Sequence, residues 1–174
     1  MVGVGVSRYG PDKVGLIYHT QGEAIPCEMV DTFEEARQYA FNIAKVGVER
    51  GFGGGSYHYI VVYQWVFRMN EDNAVSYHAS GMNIATMGMM LVRTDNEDFN
   101  KETMYLARQT VIELDAKYHF EFAVNHNDVN PQKPDPHEFI PWITQMGVRW
   151  DYRAYTDKIE GTLPEPRYHK WVAI

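Results

Sequence analysis

The chain has 174 residues, enough for one domain with a short extension, and 45% of them are hydrophobic against 22% charged. That balance is ordinary for a globular domain and excludes a disordered tail, a collagen-like rod and a coiled coil. Sixteen Lys and Arg against 23 Asp and Glu leave a net charge of −7, which argues against a surface made for nucleic acid or an anionic membrane.

In chain order, Val14–Tyr18 is a short apolar run after the turn-like Gly10-Pro11-Asp12. It reads as a buried strand that delivers His19 at its end. A loop with Gly22, Pro26 and Cys27 follows. Thr32 with Glu35 three residues on forms a capping box, so a helix begins there. Phe33, Ala36, Ala40, Ile43, Ala44 and Val48 share its apolar face, and Gly51 stops it. Gly53-Gly54-Gly55 is a flexible connector. Tyr57–Phe67, rich in Tyr, Val, Ile and Trp, is one long strand or two short ones. The acidic stretch Asn70–Asn73 is a turn, and Met87–Val92 is another buried strand.

Asn100 caps a helix over Lys101–Tyr118, where Met104, Ala107, Val111, Leu114 and Tyr118 fall on one face. Phe120–Val124 is the next strand. The Asn125–Pro136 loop carries three prolines, and a last helix covers about Glu138–Met146. Residues 148–174 show little periodicity and form a C-terminal extension packed on or following a domain of residues 1–147. Strands alternating with helices predict an α/β fold, a central mixed β-sheet flanked by helices.

Met1–Gly10 has neither a basic start nor an apolar run, so no signal peptide is expected. The longest apolar stretches fall well short of the ~18 residues that span a bilayer, so no membrane insertion is expected. The single cysteine, Cys27, cannot form an internal disulfide, and a Cys-only zinc site is excluded.

Seven histidines stand at positions 19, 58, 78, 119, 126, 137 and 169. A lone histidine is more often surface or satisfied core than a ligand. Two have positions that favour a site: His19 ends a buried strand, and His126 opens a proline-stiffened loop directly after another. Asp135 lies between Pro134 and Pro136 in that loop. Two imidazoles and a carboxylate are the three protein ligands of a catalytic zinc, with the fourth position left for water. No short His-x-x-x-His pair is present, so the fold would have to assemble such a site.

These segments resemble a known family. Gly15-Leu16-Ile17-Tyr18-His19-Thr20 is similar to the first zinc-ligand strand of the type-2 zinc-dependent N-acetylmuramoyl-L-alanine amidases, whose fold is shared by amidase-type phage lysozymes and peptidoglycan recognition proteins. Ser56-Tyr57-His58-Tyr59-Ile60-Val61 resembles their Tyr-His-Tyr strand. Tyr77-His78-Ala79 with Asn83, then Met87-Gly88-Met89-Met90-Leu91-Val92, resembles a further block. His126-Asn127-Asp128-Val129, Pro131, Lys133-Pro134-Asp135-Pro136, Phe139 and Pro141-Trp142 resemble the second-ligand loop. The four blocks run in order over about Val14–Trp142. The chain departs from the family in lacking the Asp-Gly hairpin after the Tyr-His-Tyr strand, in its long loop before the first helix, and in everything after Trp142.

The resemblance implies that His19, His126 and Asp135 hold Zn2+. It implies catalytic roles for Tyr57 and Lys133, with Lys133 supporting a developing oxyanion. Met90 stands where other members carry a catalytic Glu. His78 and Asn83 are expected along the substrate groove, with a second role for His78 behind the ligands left open. On the residues alone, Tyr57 could equally be a packed aromatic, Lys133 a solvated loop charge and Asp135 the N-cap of the last helix. His58 alternates with Tyr57 and is expected on the opposite face, as a structural residue.

The implied function is a peptidoglycan hydrolase that cuts the bond between N-acetylmuramic acid and L-alanine, in a phage or prophage endolysin domain. It would be made in the host cytoplasm, act on the wall after release and work as a monomer. The alternatives are a non-catalytic peptidoglycan-binding module of the same fold, a cysteine amidase using Cys27 with His126 as base, and an unrelated metal hydrolase. A polyanionic wall offers an acidic chain no general attraction. Targeting would then rest on another domain or on residues 148–174.

Overall fold

The computed structural model describes residues 13–21, 30–52, 55–92, 101–133, 135 and 171–173. Its elements are β1 (Gly15–Thr20), α1 (Phe33–Glu49), β2 (Tyr59–Val62), β3 (Trp65–Arg68), β4 (Thr86–Val92), α2 (Lys101–Tyr118), β5 (Phe122–Asn125), α3 (His126–Val129) and β6 (Trp171–Ala173). They build one mixed six-stranded sheet in the order β5-β1-β4-β2-β3-β6. The strands β5, β1, β4 and β2 run parallel; β3 is antiparallel to β2, and β6 runs parallel to β3.

Period-2 alternation sorts the core onto two faces. Leu16, Tyr18, Tyr59, Val61, Met87, Met89 and Leu91 face α2, which returns Met104, Leu106, Ala107, Val111 and Leu114. Ile60, Val62, Trp65, Phe67, Met90 and Val92 face α1, packed against Ala36, Tyr39, Ala40 and Ile43. At the β1–β5 end this second face carries, among the described residues, a small cluster of Ile17, Ala79 and Val124 with Met82, Phe122 and Val129 packed against it. α1 begins as its sequence predicts: the Thr32 hydroxyl accepts from Glu35 N, and the Glu35 carboxylate accepts from Thr32 N. It ends at Gly51, whose φ of +82° suits a residue without Cβ.

Several boundaries differ from the sequence reading. β1 runs through His19 to Thr20, because parallel pairing with β4 continues past the apolar run, to His19↔Met90 and Thr20↔Leu91. Of the two options for Tyr57–Phe67, the two-strand one is found; the chain folds back through Tyr63, at φ +52°, and Gln64. Val48 is 41% exposed, at the edge of the apolar stripe expected on α1. The strand predicted at Phe120 starts at Phe122, and the expected loop opens with the short α3. Asn100, the loop with Cys27, Gly53-Gly54 and the helix predicted at Glu138–Met146 lie outside the described residues. Of residues 148–174 only Trp171–Ala173 are described, as a strand that aligns Val66 with Trp171.

Candidate metal centre

Parallel pairing decides where the histidines go. The β1–β5 register sets Tyr18 opposite Asn125. His19 and His126, the next residue of each strand line, therefore emerge side by side at the C-terminal edge, where parallel sheets place their sites. Their rings lie 4.4 Å apart, centroid to centroid. Both are buried, at 1% and 5% exposure. Asp135 is brought to them by its loop: Asn127 N donates to Asp135 O at 3.0 Å, and Lys133 N to Asn130 O at 2.9 Å. The Asp128 carboxylate accepts from Asn125 N at 2.9 Å and steadies the start of α3.

The three side chains converge. His19 Nδ1 lies 3.0 Å from Asp135 Oδ2. His126 Nδ1 lies 2.9 Å and 3.0 Å from the two carboxylate oxygens. One ligand atom from each of the three residues falls within 4.8 Å of the others. Burial pushes the His19 imidazole down to about 4, against the opposing pull of its Asp135 hydrogen bond. A neutral imidazole is the form that binds a metal. Burial by itself would raise the Asp135 carboxyl; the hydrogen bonds from His126 and His19 together outweigh it and hold it well below the carboxylate range. His126 Nε2 is buried and has no hydrogen-bond partner among the described residues. Two imidazoles and a carboxylate aimed at one point form a donor set that fits a zinc ion.

Tyr57 stands beside this cluster, its ring 5.0 Å from that of His19. Burial, and then the charge of Asp135, push its phenol up, so its hydroxyl keeps its proton. Lys133 is exposed on the loop. Its charge lies close enough to help disfavour protonated His19. Met90 is the cross-strand neighbour of His19 in the β1–β4 register, and it is buried in the α1 core.

Of the two residues expected along the groove, His78 is buried and Asn83 half-buried. His78 is buried behind His19, its Nδ1 3.2 Å from His19 Nε2. Asn83 is engaged within its turn: its Oδ1 accepts from His78 N at 2.9 Å and Ala79 N at 2.8 Å. The alternation expected between Tyr57 and His58 does not apply, because β2 begins only at Tyr59. His58 lies on the same face as the site, with its ring 6.0 Å from His78. There it is a structural brace: Nε2 donates to Ala74 O at 2.9 Å, and Nδ1 accepts from Gly88 N at 3.1 Å.

No family model matches the chain, and no curated protein does. Solved structures match. N-acetylmuramoyl-L-alanine amidase LysC from Clostridium intestinale superposes with a TM-score of 0.63 at 22% identity, over 76% of this chain and 82% of its own. Wild-type Drosophila PGRP-LB gives 0.66 at 13% identity, over 76% and 79%. Peptidoglycan recognition protein LE, solved in complex with tracheal cytotoxin, gives 0.66 at 12% identity, over 75% and 78%. At such identities the likeness is one of fold, and the fold is the one these amidases and recognition proteins share.

Proposed function

We propose that the chain is a zinc-dependent N-acetylmuramoyl-L-alanine amidase, a peptidoglycan hydrolase that cuts the amide bond between N-acetylmuramic acid and L-alanine. In this reading it is a phage or prophage endolysin domain, made in the host cytoplasm and acting as a monomer on the wall after release. The observation that carries it is the convergence of His19 Nδ1, His126 Nδ1 and the Asp135 carboxylate at the C-terminal edge of the sheet.

Zinc held by these three residues would polarise the scissile carbonyl and bring the pKa of bound water towards ~7. Coordination would take the imidazoles of His19 and His126 as neutral donors, and Asp135 would offset part of the ion's charge. Tyr57, still protonated at neutral pH and beside His19, can donate to an oxygen of the reacting amide. Lys133 carries its ammonium on the same loop as Asp135, two residues before it, and can stabilise the negative charge that develops on the carbonyl oxygen.

Digestion of purified peptidoglycan, with the new ends identified by mass spectrometry, tests the reading. Free L-alanine amino termini and intact muramoyl lactyl groups are expected, lost on chelation and restored by zinc. Cleavage at another bond, or cleavage that chelators leave unchanged, would overturn it. A second reading, a peptidoglycan-binding module of the same fold, is kept open by the neighbour solved with tracheal cytotoxin. Three filled ligand positions favour the enzyme. Binding without new ends would favour the module.

A further inference from the structure

The side of His19 turned away from Asp135 holds a line of hydrogen bonds. His19 Nε2 meets His78 Nδ1 at 3.2 Å, with the rings edge to face. His78 Nε2 meets the main-chain carbonyl of Thr86 at 3.3 Å and Thr86 Oγ1 at 3.2 Å. The Thr86 hydroxyl donates to Met82 O at 2.7 Å, so it too meets His78 as an acceptor.

A carbonyl can only accept, so His78 Nε2 carries the proton. In a neutral ring His78 Nδ1 is then a bare lone pair, and it accepts from His19 Nε2–H. His19 in turn keeps its lone pair on Nδ1, the nitrogen that faces Asp135 and His126. The opposite end of the line is also an acceptor, the Asp135 carboxylate. A proton on His19 Nδ1 for Asp135 would leave two lone pairs facing each other at 3.2 Å. A cation bound at Nδ1 removes that conflict, because the proton of His19 then sits on Nε2.

We propose that His78 is a positioning residue that fixes the ring and tautomer of His19, so that His19 Nδ1 is presented as a lone-pair donor to the metal, with the main-chain carbonyl of Thr86 setting the direction of the line. This rests on the zinc reading of the site and adds to it a residue that touches neither metal nor substrate.

The fold holds His78 in place from three sides. Asn83 Oδ1 accepts from the main-chain N–H of His78. The buried Lys13 ammonium donates to Ile84 O at 2.9 Å and pins the same turn. Gly88 on β4 lies directly beneath the ring: a Cβ there would fall 2.6 Å from His78 Cγ and 2.9 Å from Nδ1. Any side chain at position 88 would push the imidazole out of line.

The test measures zinc affinity by competition with a chromophoric chelator, beside the melting temperature of the metal-free protein. His78→Leu keeps the volume near His19 and removes the acceptor; His78→Asn returns an oxygen close to the Nδ1 position. The expected result is a ~10–100-fold loss of zinc affinity in His78→Leu, the usual effect of removing such a partner, and recovery of most of it in His78→Asn. Gly88→Ala, which leaves His78 present but displaced, should weaken zinc as His78→Leu does. Wild-type affinity in His78→Leu, or equal loss in the Leu and Asn variants, would overturn the inference. Should the variants not fold, long-range 1H–15N spectra of the zinc-loaded wild type report both tautomers. Nε2–H on His19 and on His78 is expected, and a proton on His78 Nδ1 would overturn the assignment. A wild-type chain that takes up no zinc defeats the metal reading itself and the inference with it.

Discussion

Asp135 and Tyr57 reach His19 from different parts of the chain. Asp135→Ala deletes one of three converging donors and leaves two imidazoles. Zinc content by elemental analysis should fall steeply, and cell-wall lysis with it, while peptidoglycan binding survives through contacts to glycan and peptide. As the cap of a following helix, the same residue would cost only about 1 kcal/mol and leave zinc in place. Tyr57→Phe keeps the ring packed near His19 and removes the hydroxyl. Hydrolysis is expected to slow by ~10²-fold or more with zinc and melting temperature unchanged, the usual contribution of one positioned proton donor. Near-normal turnover in that variant would assign Tyr57 to packing. His78 shows what residue-level reading misses: its block was visible, yet its contact with His19 spans 59 positions of sequence and appears only once β1 and the turn before β4 are placed.

At the scale of elements, α1 presents its apolar stripe to the half of the sheet that does not hold the candidate ligands. Its N-terminus is closed by the Thr32–Glu35 capping box on an exposed surface. Thr32→Ala should cost about 1 kcal/mol. In a domain of this size that lowers the melting temperature by roughly 2–4 °C, and lysis should be unaffected below it. Gly47 gives the opposite of what helix propensity alone predicts. An added Cβ would stand 2.5 Å from Ser56 Oγ and 3.1 Å from Ser56 N. Gly47→Ala should therefore lower the melting temperature, although alanine is favoured over glycine by ~1 kcal/mol in an open helix. A rise in melting temperature would show that the segment leading to Tyr57 can give way.

For the whole molecule, Asp72 ties elements distant in sequence. Its buried carboxylate accepts from Tyr59 of β2, from Tyr118 at 2.6 Å and from Lys117 at 2.9 Å on α2, and Arg68 of β3 lies 3.4 Å away. Burial works to raise its pKa; the hydrogen bonds from Tyr118, Tyr59 and Lys117 prevail and hold it below the ordinary value. A carboxyl depressed in the folded state stabilises the fold above its unfolded pKa of ~3.9, and that contribution disappears as pH falls through the folded value. The gap in melting temperature between wild type and Asp72→Asn should thus be full above pH ~5 and close as the pH drops towards ~2. A gap independent of pH would show that Asp72 acts through shape and not charge. A zinc ion held as proposed would act at the same scale, because the three candidate ligands come from β1, α3 and the loop after it. A chelator should lower the wild-type melting temperature, since a ligand bound at ~100 times its Kd adds ~2.7 kcal/mol.

Much was determined by sequence alone where the cause is local. Thr32 and Glu35 marked the start of α1 because a capping box closes within four residues. The apolar runs at Val14–Tyr18 and Met87–Val92 marked buried strands. His19, His126 and Asp135 stood out because each sits at the end of such a run or in a loop stiffened by prolines. Tertiary structure decided what depends on neighbours in space. Parallel pairing carried β1 past its apolar run and set His19 beside His126. A two-residue reversal at Tyr63-Gln64 split the Tyr57–Phe67 stretch, and β2 begins only at Tyr59, so Tyr57 and His58 precede it and share one face where strand alternation put them on two. Trp171–Ala173, without a periodicity of its own, is a strand because β3 has an edge to pair with. His78 faces His19 because Gly88 leaves room for its ring.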